Sequence, residues 1–200
     1  MISVLISIKP KWCELIASGK KTIEVRKTKP KIDTPFKVYI YCTKQFYRQG
    51  DGYFQGKHCG KVIGEFVCRA ILNYECEFVD DDCYEEIASV ALDEDDGSEY
   101  GFIEWSNDGD ISYENTFFHK TSHVGYEELK TYMGVGFGKF YAWHISDLVI
   151  YDKPKELCEF YRHDTTYDNS FGWAFEDRAK KSPITRPPQS WCYVEKGGEE

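Results

Sequence analysis

The sequence predicts an α+β fold, in which a small mixed β-barrel is flanked by short helices and carries an acidic insertion. Strand-like segments dominate the order of elements, and the helical segments are too few for a doubly wound sheet. Aromatic residues form 16% of the chain, which favours a β-rich fold. A length of 200 residues suits a single domain over 1–200, with the insertion at 76–119.

The first third of the chain alternates strand and helix signals. The apolar run at 2–8 predicts a strand buried on at least one face. Pro10 suits the first turn of a short helix, and Gly19 can supply its left-handed C-terminal cap. The segment KKTIEVRK (20–27) predicts a second strand, and PFKVYIYCTK (35–44) predicts a third.

The middle of the chain is predicted to add one more strand to the sheet and then to form the acidic insertion. A long strand is expected at 60–75, with a bend at Gly64. Within the insertion, 83–92 is expected to form a helix and 99–118 a polar hairpin. After it we expect four elements, namely a helix at 125–134, a strand at 139–152, a helix at 153–161 and a proline-held loop with a closing strand at 183–195.

The net charge of −9 conceals an asymmetry along the chain. Residues 1–61 hold 13 Lys and Arg against 4 Asp and Glu, whereas 62–138 hold 3 against 19. A basic N-terminal third indicates a polyanionic partner, or else bases that pair with the acidic segment. The acidic insertion serves solubility or a protein partner.

No apolar run reaches 18 residues and no signal peptide is recognisable, so we expect a cytoplasmic protein that does not bind membranes. Its eight cysteines are then expected as reduced thiols. Four of them, with His58, have spacings that fit no tight zinc site. No metal or cofactor is predicted.

The second predicted strand carries the residues of greatest functional interest. Side chains alternate along a strand, so Ile23 and Val25 face the core while Glu24 and Arg26 project together from the opposite face. Lys21, where the turn meets the strand, has a stem long enough to bend around the edge. The Glu24 carboxylate, a hydrogen-bond acceptor, and the donors of Lys21 and Arg26 can thus face one ligand.

Further polar residues are expected near this group. Lys9 and Lys11 flank a helix start, which favours anions, and Thr22 shares the face of Glu24. These residues predict a pocket for a base and its phosphate. The alternative is an exposed, salt-bridged strand.

Several motifs resemble the ASCH domain family. SIKPKWCELIASGKKTIEVRK resembles the N-terminal signature of bacterial and phage members, whose hallmark G-x-K-x-x-E-x-R falls here on Gly19, Lys21, Glu24 and Arg26. FYAWHISDLVIYDKPKEL and RPPQSWCYVE resemble later family segments. The resemblance implies a PUA-like barrel with a role in RNA metabolism and a cleft along this strand.

One function implied by the resemblance is binding of RNA or a modified nucleoside. Lys9, Lys11, Lys21 and Arg26 would hold phosphate or base carbonyls, and Glu24 would accept from a base amino group. Base stacking would fall to a tryptophan such as Trp12, Trp143 or Trp191. Packing in the core is the alternative for each of them and is favoured for Trp12. The core face of the strand at 139–152 is expected to hold Tyr141, Trp143 and Ile145, which leaves His144 on the other face. His144 is there a structural, hydrogen-bonded histidine or, alternatively, a ligand-binding residue or proton carrier.

The other implied function is hydrolysis. Small family members hydrolyse acetylated cytidine with a Lys, a Thr nucleophile and a Glu. Lys21 matches the Lys, but Glu24 occupies the position of the Thr; Thr22 is a substitute and Glu65 a candidate third residue. A ribonuclease would instead use Lys21 as electrostatic stabiliser and Glu24 as general base. Binding and hydrolysis both stay open at this point.

Overall fold

The computed structural model describes residues 2–44, 46–49, 52–55, 58–78, 86–92, 99–106, 112–163 and 182–196. The strands are β1 Ser3–Ile8, β2 Ile23–Arg26, β3 Phe36–Cys42, β4 Phe46–Gln49, β5 Gly52–Gln55, β6 Val62–Cys68, β7 Ile71–Phe78, β8 Glu86–Leu92, β9 Glu99–Ser106, β10 Gly136–His144, β11 Ser146–Lys155, β12 Phe160–Arg162 and β13 Trp191–Lys196. The α-helices are α1 Pro10–Ala17, α2 Phe117–Ser122 and α3 Tyr126–Met133, and short 3₁₀ helices span Tyr113–Asn115 and Leu157–Glu159.

The chain divides into two compact units. The first unit comprises Met1–Ala17, Phe36–Val67 and Asp147–Glu200, and the second comprises Ser18–Pro35 and Cys68–Ser146.

The first unit is built on a six-stranded mixed sheet in the order β11-β6-β3-β1-β13-β12. Strand β1 is an inner strand of this sheet, and it pairs parallel with β3 and antiparallel with β13. All of its residues are buried. One cluster of buried apolar and aromatic side chains in this unit comprises Leu5, Tyr39, Tyr41, Val62, Phe160, Ile184 and Val194.

The second unit is built on a five-stranded sheet in the order β2-β10-β7-β8-β9. Its core is aromatic. The rings of Tyr74 and Phe140 stack at 5.0 Å, and Phe118 of α2 packs on both at 5.2 Å. Trp105 and Tyr126 extend this packing at 4.8 Å. Aromatic pairs of this kind stabilise the sheet beyond their buried area.

These observations confirm a mixed, sheet-dominated fold with few helices in the described part of the chain. Helix α1 begins at Pro10 and α3 is followed by Gly134 with a φ of 87°, as predicted from local signals. Closure of the strands into a barrel, the single domain and the insertion boundaries stay predictions.

Two helix predictions are wrong. The segment 83–92 forms strand β8 over its described residues, because residues 86–90 pair antiparallel with β7 and residues 86–92 pair with β9 on the other side. The segment 153–161 continues β11 to Lys155 and then makes only one 3₁₀ turn before β12. Tertiary pairing outweighs helix propensity at both places.

Several strand predictions need different boundaries. The strand predicted at 60–75 is two strands, β6 and β7, and the strand at 139–152 falls on β10 and β11, which separate near Asp147 at a φ of 48°. The expected hairpin at 99–118 is also wrong, because a 3₁₀ helix at Tyr113–Asn115 and the start of α2 at Phe117 occupy the described part of its second arm. No described helix has the length and apolarity to cross a membrane.

Candidate functional site

The signature G-x-K-x-x-E-x-R lies in the second unit, at the entry to edge strand β2. Gly19 has a φ of 73°, a left-handed conformation that glycine adopts without strain. The strand is shorter than predicted and begins at Ile23, so Lys21 precedes it. Two hydrogen bonds fix the backbone of Thr22: its N–H donates to Thr121 O and its carbonyl accepts from the Ile145 N–H, both at 2.9 Å.

Strand β2 lies against β10 with Glu24 opposite Trp143 and Arg26 opposite Tyr141. Both faces of β2 are buried: Ile23 and Val25 lie in the core, and Glu24 is only 4% exposed. The prediction that Glu24 and Arg26 share one face therefore holds, but that face is enclosed.

Lys21 is almost completely buried, at 2% exposure. Its Nζ donates to the carbonyl of Ser122 at 2.6 Å and lies 3.5 Å from Glu24 Oε2. Within a regular strand, residues three positions apart, such as Lys21 and Glu24, would point to opposite faces. Lys21 lies before β2, so this rule does not apply to it. The side chain bends towards the carboxylate, as its long stem allows.

Arg26 completes the cluster from the other side. Its guanidinium nitrogen lies 2.9 Å from Glu24 Oε1, and its side chain is 12% exposed. Glu24 is thus held between two cations, one on each carboxylate oxygen. We call Lys21, Glu24 and Arg26 the charged triad.

Burial changes the acid–base behaviour of the triad. Loss of solvation lowers the pKa of the Lys21 ammonium below its ordinary value of 10.5, and the negative charge of Glu24 only partly offsets this. The positive charge of Arg26 lowers it further, and Glu128 acts weakly in the opposite direction. Lys21 therefore loses its proton more readily than a surface lysine.

A pocket of about 310 Å³ opens near the C-terminal end of β2. It is lined by residues 29–34 and by Ile71. Ile71 pairs with Trp143 of β10, which in turn pairs with Glu24. Lys29, which lines the pocket, also has its Nζ 5.4 Å from the ring centre of Tyr141, the strand partner of Arg26. The pocket thus adjoins the strand that carries the triad.

The other predicted site residues of the second unit lie at its margin. The side chain of Thr22 is exposed. His144 is half-buried at the end of β10, opposite Ile23, and its backbone N–H donates to Ala70 O at 3.0 Å.

Three predicted residues belong to the first unit. Lys9 and Lys11 are exposed at the start of α1, where the Lys9 carbonyl accepts from Cys13 and the Lys11 ammonium lies 4.1 Å from the ring centre of Trp12. Trp191 is half-buried on β13, with its ring 5.4 Å from that of Tyr193. Their roles in ligand binding stay predictions.

Trp143 is fully buried, and the predicted core face of β10 needs correction. Phe140 and Ala142 are fully buried on one face and Trp143 is fully buried on the other, whereas Tyr141 is half-buried. The expected alternation of one buried and one exposed face fails, because both faces of β10 are covered at residues 140–143. Full burial leaves Trp143 no free face for stacking on a base.

Glu65, the candidate third hydrolytic residue, lies in the first unit within its own network. It accepts from Lys37 Nζ at 2.7 Å and from the Tyr151 hydroxyl. Burial raises the pKa of Glu65, but the hydrogen bonds from Lys37 and Tyr151 outweigh it, and the pKa falls below 4.5.

Sequence reasoning missed two groups that shape the triad. The carbonyl of Ser122 and the carboxylate of Glu128 act on Lys21 from more than 100 positions away. No spacing rule links positions so distant. Among the described residues, no three His, Cys, Asp or Glu side chains are arranged to hold a metal ion.

The fold and the triad define a small sheet-rich protein with a charged interior site on an edge strand. Residues 6–86 match the family model described as "ASCH domain", a match that includes the whole G-x-K-x-x-E-x-R signature. This part of the chain, less than half of its length, is therefore similar to the ASCH domain, and the ASCH family is PUA-like and associated with RNA binding. The match reaches into the segment predicted as an insertion.

Solved structures support the same fold along nearly the whole chain. The ASCH protein from Zymomonas mobilis is 18% identical, with a TM-score of 0.51, covering 96% of this chain and 87% of that one. Two single-substitution variants of that protein give the same TM-score at 18% and 17% identity, covering 88% and 90% of their chains. A comparison with curated protein sequences finds no match.

Proposed function

We propose that this protein binds single-stranded RNA or a modified nucleoside in a cleft lined by the G-x-K-x-x-E-x-R strand. The observation that carries the proposal is the charged triad, in which Glu24 lies 3.5 Å from Lys21 and 2.9 Å from Arg26. A ligand would have to enter the enclosed face of β2, where Glu24 would accept from a base amino group and the two cations would donate to base carbonyls or phosphate. Such edge recognition is typical of proteins that read unpaired bases.

The neighbouring pocket supports the proposal. Its volume of about 310 Å³ falls at the lower end of the range of small-ligand sites, roughly 300–1,000 Å³. Lys29 and Lys31 line it and supply positive charge for a phosphate. Directly after β2, Lys27 has its Nζ 5.1 Å from the ring centre of the exposed Tyr132, so the end of the strand also carries a basic and aromatic pair.

A binding experiment with matched lysine variants tests this function. The affinity for a fluorescent single-stranded RNA would be measured over a range of salt concentrations for the wild type, Lys21→Met, Arg26→Met and Lys20→Met. Lys20 is exposed and adjacent to Lys21, so Lys20→Met shows the effect on affinity of removing one surface charge. We expect Lys21→Met and Arg26→Met to weaken binding about tenfold or more and Lys20→Met to act only slightly. Equal losses for Lys20→Met and Lys21→Met would contradict binding at the triad.

The second candidate function is hydrolysis, which the lowered pKa of Lys21 favours. Buried ionisable groups with shifted pKa values recur in active sites. Glu24 would be the general base of a ribonuclease and Lys21 would stabilise the charge that develops on the phosphate. Amide hydrolysis fits less well, since Glu24 replaces the hydroxyl nucleophile and Thr22 is exposed outside β2.

Turnover assays distinguish the two functions. The protein would be incubated with single-stranded RNA and, separately, with acetylcytidine, and the products would be separated by chromatography. Product formation that is lost in both Lys21→Met and Glu24→Gln supports hydrolysis. Salt-dependent RNA binding without product supports the binding function.

A further inference from the structure

Three cysteines that are far apart in the sequence meet in the first unit. Cys13 lies on α1, Cys42 ends β3, and Cys59 lies in the turn before β6. The Sγ atoms of Cys42 and Cys59 are 3.9 Å apart, and the Cys13 thiol hydrogen-bonds with Cys42.

The backbone fixes the approach of Cys42 to Cys59. The Cys42 N–H donates to Lys61 O at 2.9 Å, and the Cys42 carbonyl accepts from the Gly60 N–H at 2.7 Å. Gly60 has a φ of 85°, which a glycine adopts without strain. The two sulfurs are therefore held together by main-chain hydrogen bonds on either side of them.

The cysteines of the described residues differ in reactivity. Hydrogen bonding from Cys13, with a further contribution from Cys59, lowers the pKa of the Cys42 thiol against the effect of burial. Burial instead raises the pKa of Cys68 to about 12 and of Cys76 to about 11. Since the thiolate is the nucleophile, Cys42 is activated and the other two are not. Cys59 is half-buried and so reachable from solvent, whereas Cys42 is buried.

We propose that Cys42 and Cys59 form a dithiol site that undergoes thiol–disulfide exchange with a low-molecular-weight disulfide. The Cys59 thiolate attacks one sulfur of the small disulfide, whose S–S bond breaks and releases one small thiol. The Cys42 thiolate then attacks Cys59 Sγ, the Cys42–Cys59 bond forms, and the second small thiol leaves. The protein loses two electrons and two protons, and the small disulfide gains both as two thiols.

Closing the bridge requires a local movement only. The sulfurs must approach from 3.9 Å to about 2.05 Å. The bond would tie together the two ends of the segment that contains the β4–β5 hairpin. Cys13 acts as a positioning residue, because its thiol contacts Cys42. This inference is independent of the triad and of RNA binding.

Mass spectrometry of the full chain tests the proposal. The reduced protein would be incubated with glutathione disulfide, alkylated and digested with trypsin, which cuts after Lys37, Lys44, Lys57 and Lys61. We expect a disulfide-linked pair of peptides, 38–44 and 58–61, and the loss of two free thiols. Cys59→Ser and Cys42→Ser should each lose this linked pair, whereas Cys158→Ser, which removes an exposed thiol, should retain it.

The kinetics test the positioning residue. Cys13→Ser should slow formation of the linked peptides at neutral pH and move the rate profile to higher pH, because Cys42 loses the thiol that lowers its pKa. Glutathione adducts on Cys59 or Cys158 without the linked peptides would overturn the proposal. Two lost thiols that map to any other pair would overturn it as well.

Discussion

Lys21 Nζ lies 3.5 Å from Glu24 Oε2 although both side chains are almost fully buried. Burying two charges costs solvation free energy, which their attraction repays only when further hydrogen bonds satisfy them. Here Ser122 O and Arg26 provide those contacts. The triad is therefore interdependent, and removing one member leaves another charge buried.

Glu24→Gln should destabilise the protein by about 3–5 kcal/mol, because the buried cations Lys21 and Arg26 lose their shared counter-charge. Urea unfolding followed by circular dichroism measures this change. Lys20→Ala, at an exposed neighbouring position, is the control and should change stability by less than about 0.5 kcal/mol. A Glu24→Gln variant as stable as the wild type would show that the triad is not buried as described.

Glu65→Gln should make the free energy of unfolding vary less with pH in the acid range. The pKa of Glu65 is below its ordinary value of 4.5 in the folded protein, so the carboxylate stabilises the fold above pH 4.5. That stabilisation is lost as the pH falls through the folded-state pKa. At pH 7 the variant should be less stable by about 2 kcal/mol, through weakened bonding to Lys37 and Tyr151.

Urea unfolding at a series of pH values from 7 downwards checks this, with Glu77→Gln, an exposed position on β7, as control. The stability difference between the wild type and Glu65→Gln should shrink as the pH falls. A difference that stays constant over the whole pH range would contradict the assigned direction.

Gly64→Ala should destabilise the first unit. A Cβ at Gly64 would lie 2.4 Å from Val149 O, a backbone atom that cannot rotate away. Overpacking of this kind costs about 1–3 kcal/mol. Gly125→Ala is the matched control, since a Cβ there meets nothing within 4 Å, and it should cost less than about 1 kcal/mol. Thermal unfolding that does not separate the two variants would contradict the close approach of β6 to β11.

Trp143→Ala should cost about 3–5 kcal/mol, because it empties a fully buried site on β10 next to Glu24. Phe137→Ala on the same strand is the control, since Phe137 is 64% exposed, and it should change stability little. Urea unfolding measures both. A small loss of stability in Trp143→Ala would contradict the burial of Trp143 and would indicate that its ring is available for stacking on a base.

The elements predicted correctly are those with strong local signals. Pro10 starts α1, Gly134 ends α3, and the apolar run of β1 forms a fully buried strand. Each signal acts within a few residues, so the sequence alone contains it.

The parts that were predicted wrongly depend on distant pairing. Residues 86–92 form a strand because β7 and β9 lie beside them. Side chains on both faces of β10 are buried, which a pattern within the strand does not predict. The partner of Lys21, Ser122, is 101 positions away. The grouping of Lys21, Glu24 and Arg26 was predictable from one strand, but their enclosure was not.

The most direct test of binding at the triad is an NMR titration of the lysine side chains. The ¹³Cε–¹Hε signals of Lys21 and Lys20, assigned with Lys21→Met and Lys20→Met, would be followed as single-stranded RNA is added. We expect the Lys21 signal to shift to a plateau and the Lys20 signal to move little. A Lys21 signal that stays fixed at saturating RNA, while signals of exposed lysines shift, would contradict the proposed function.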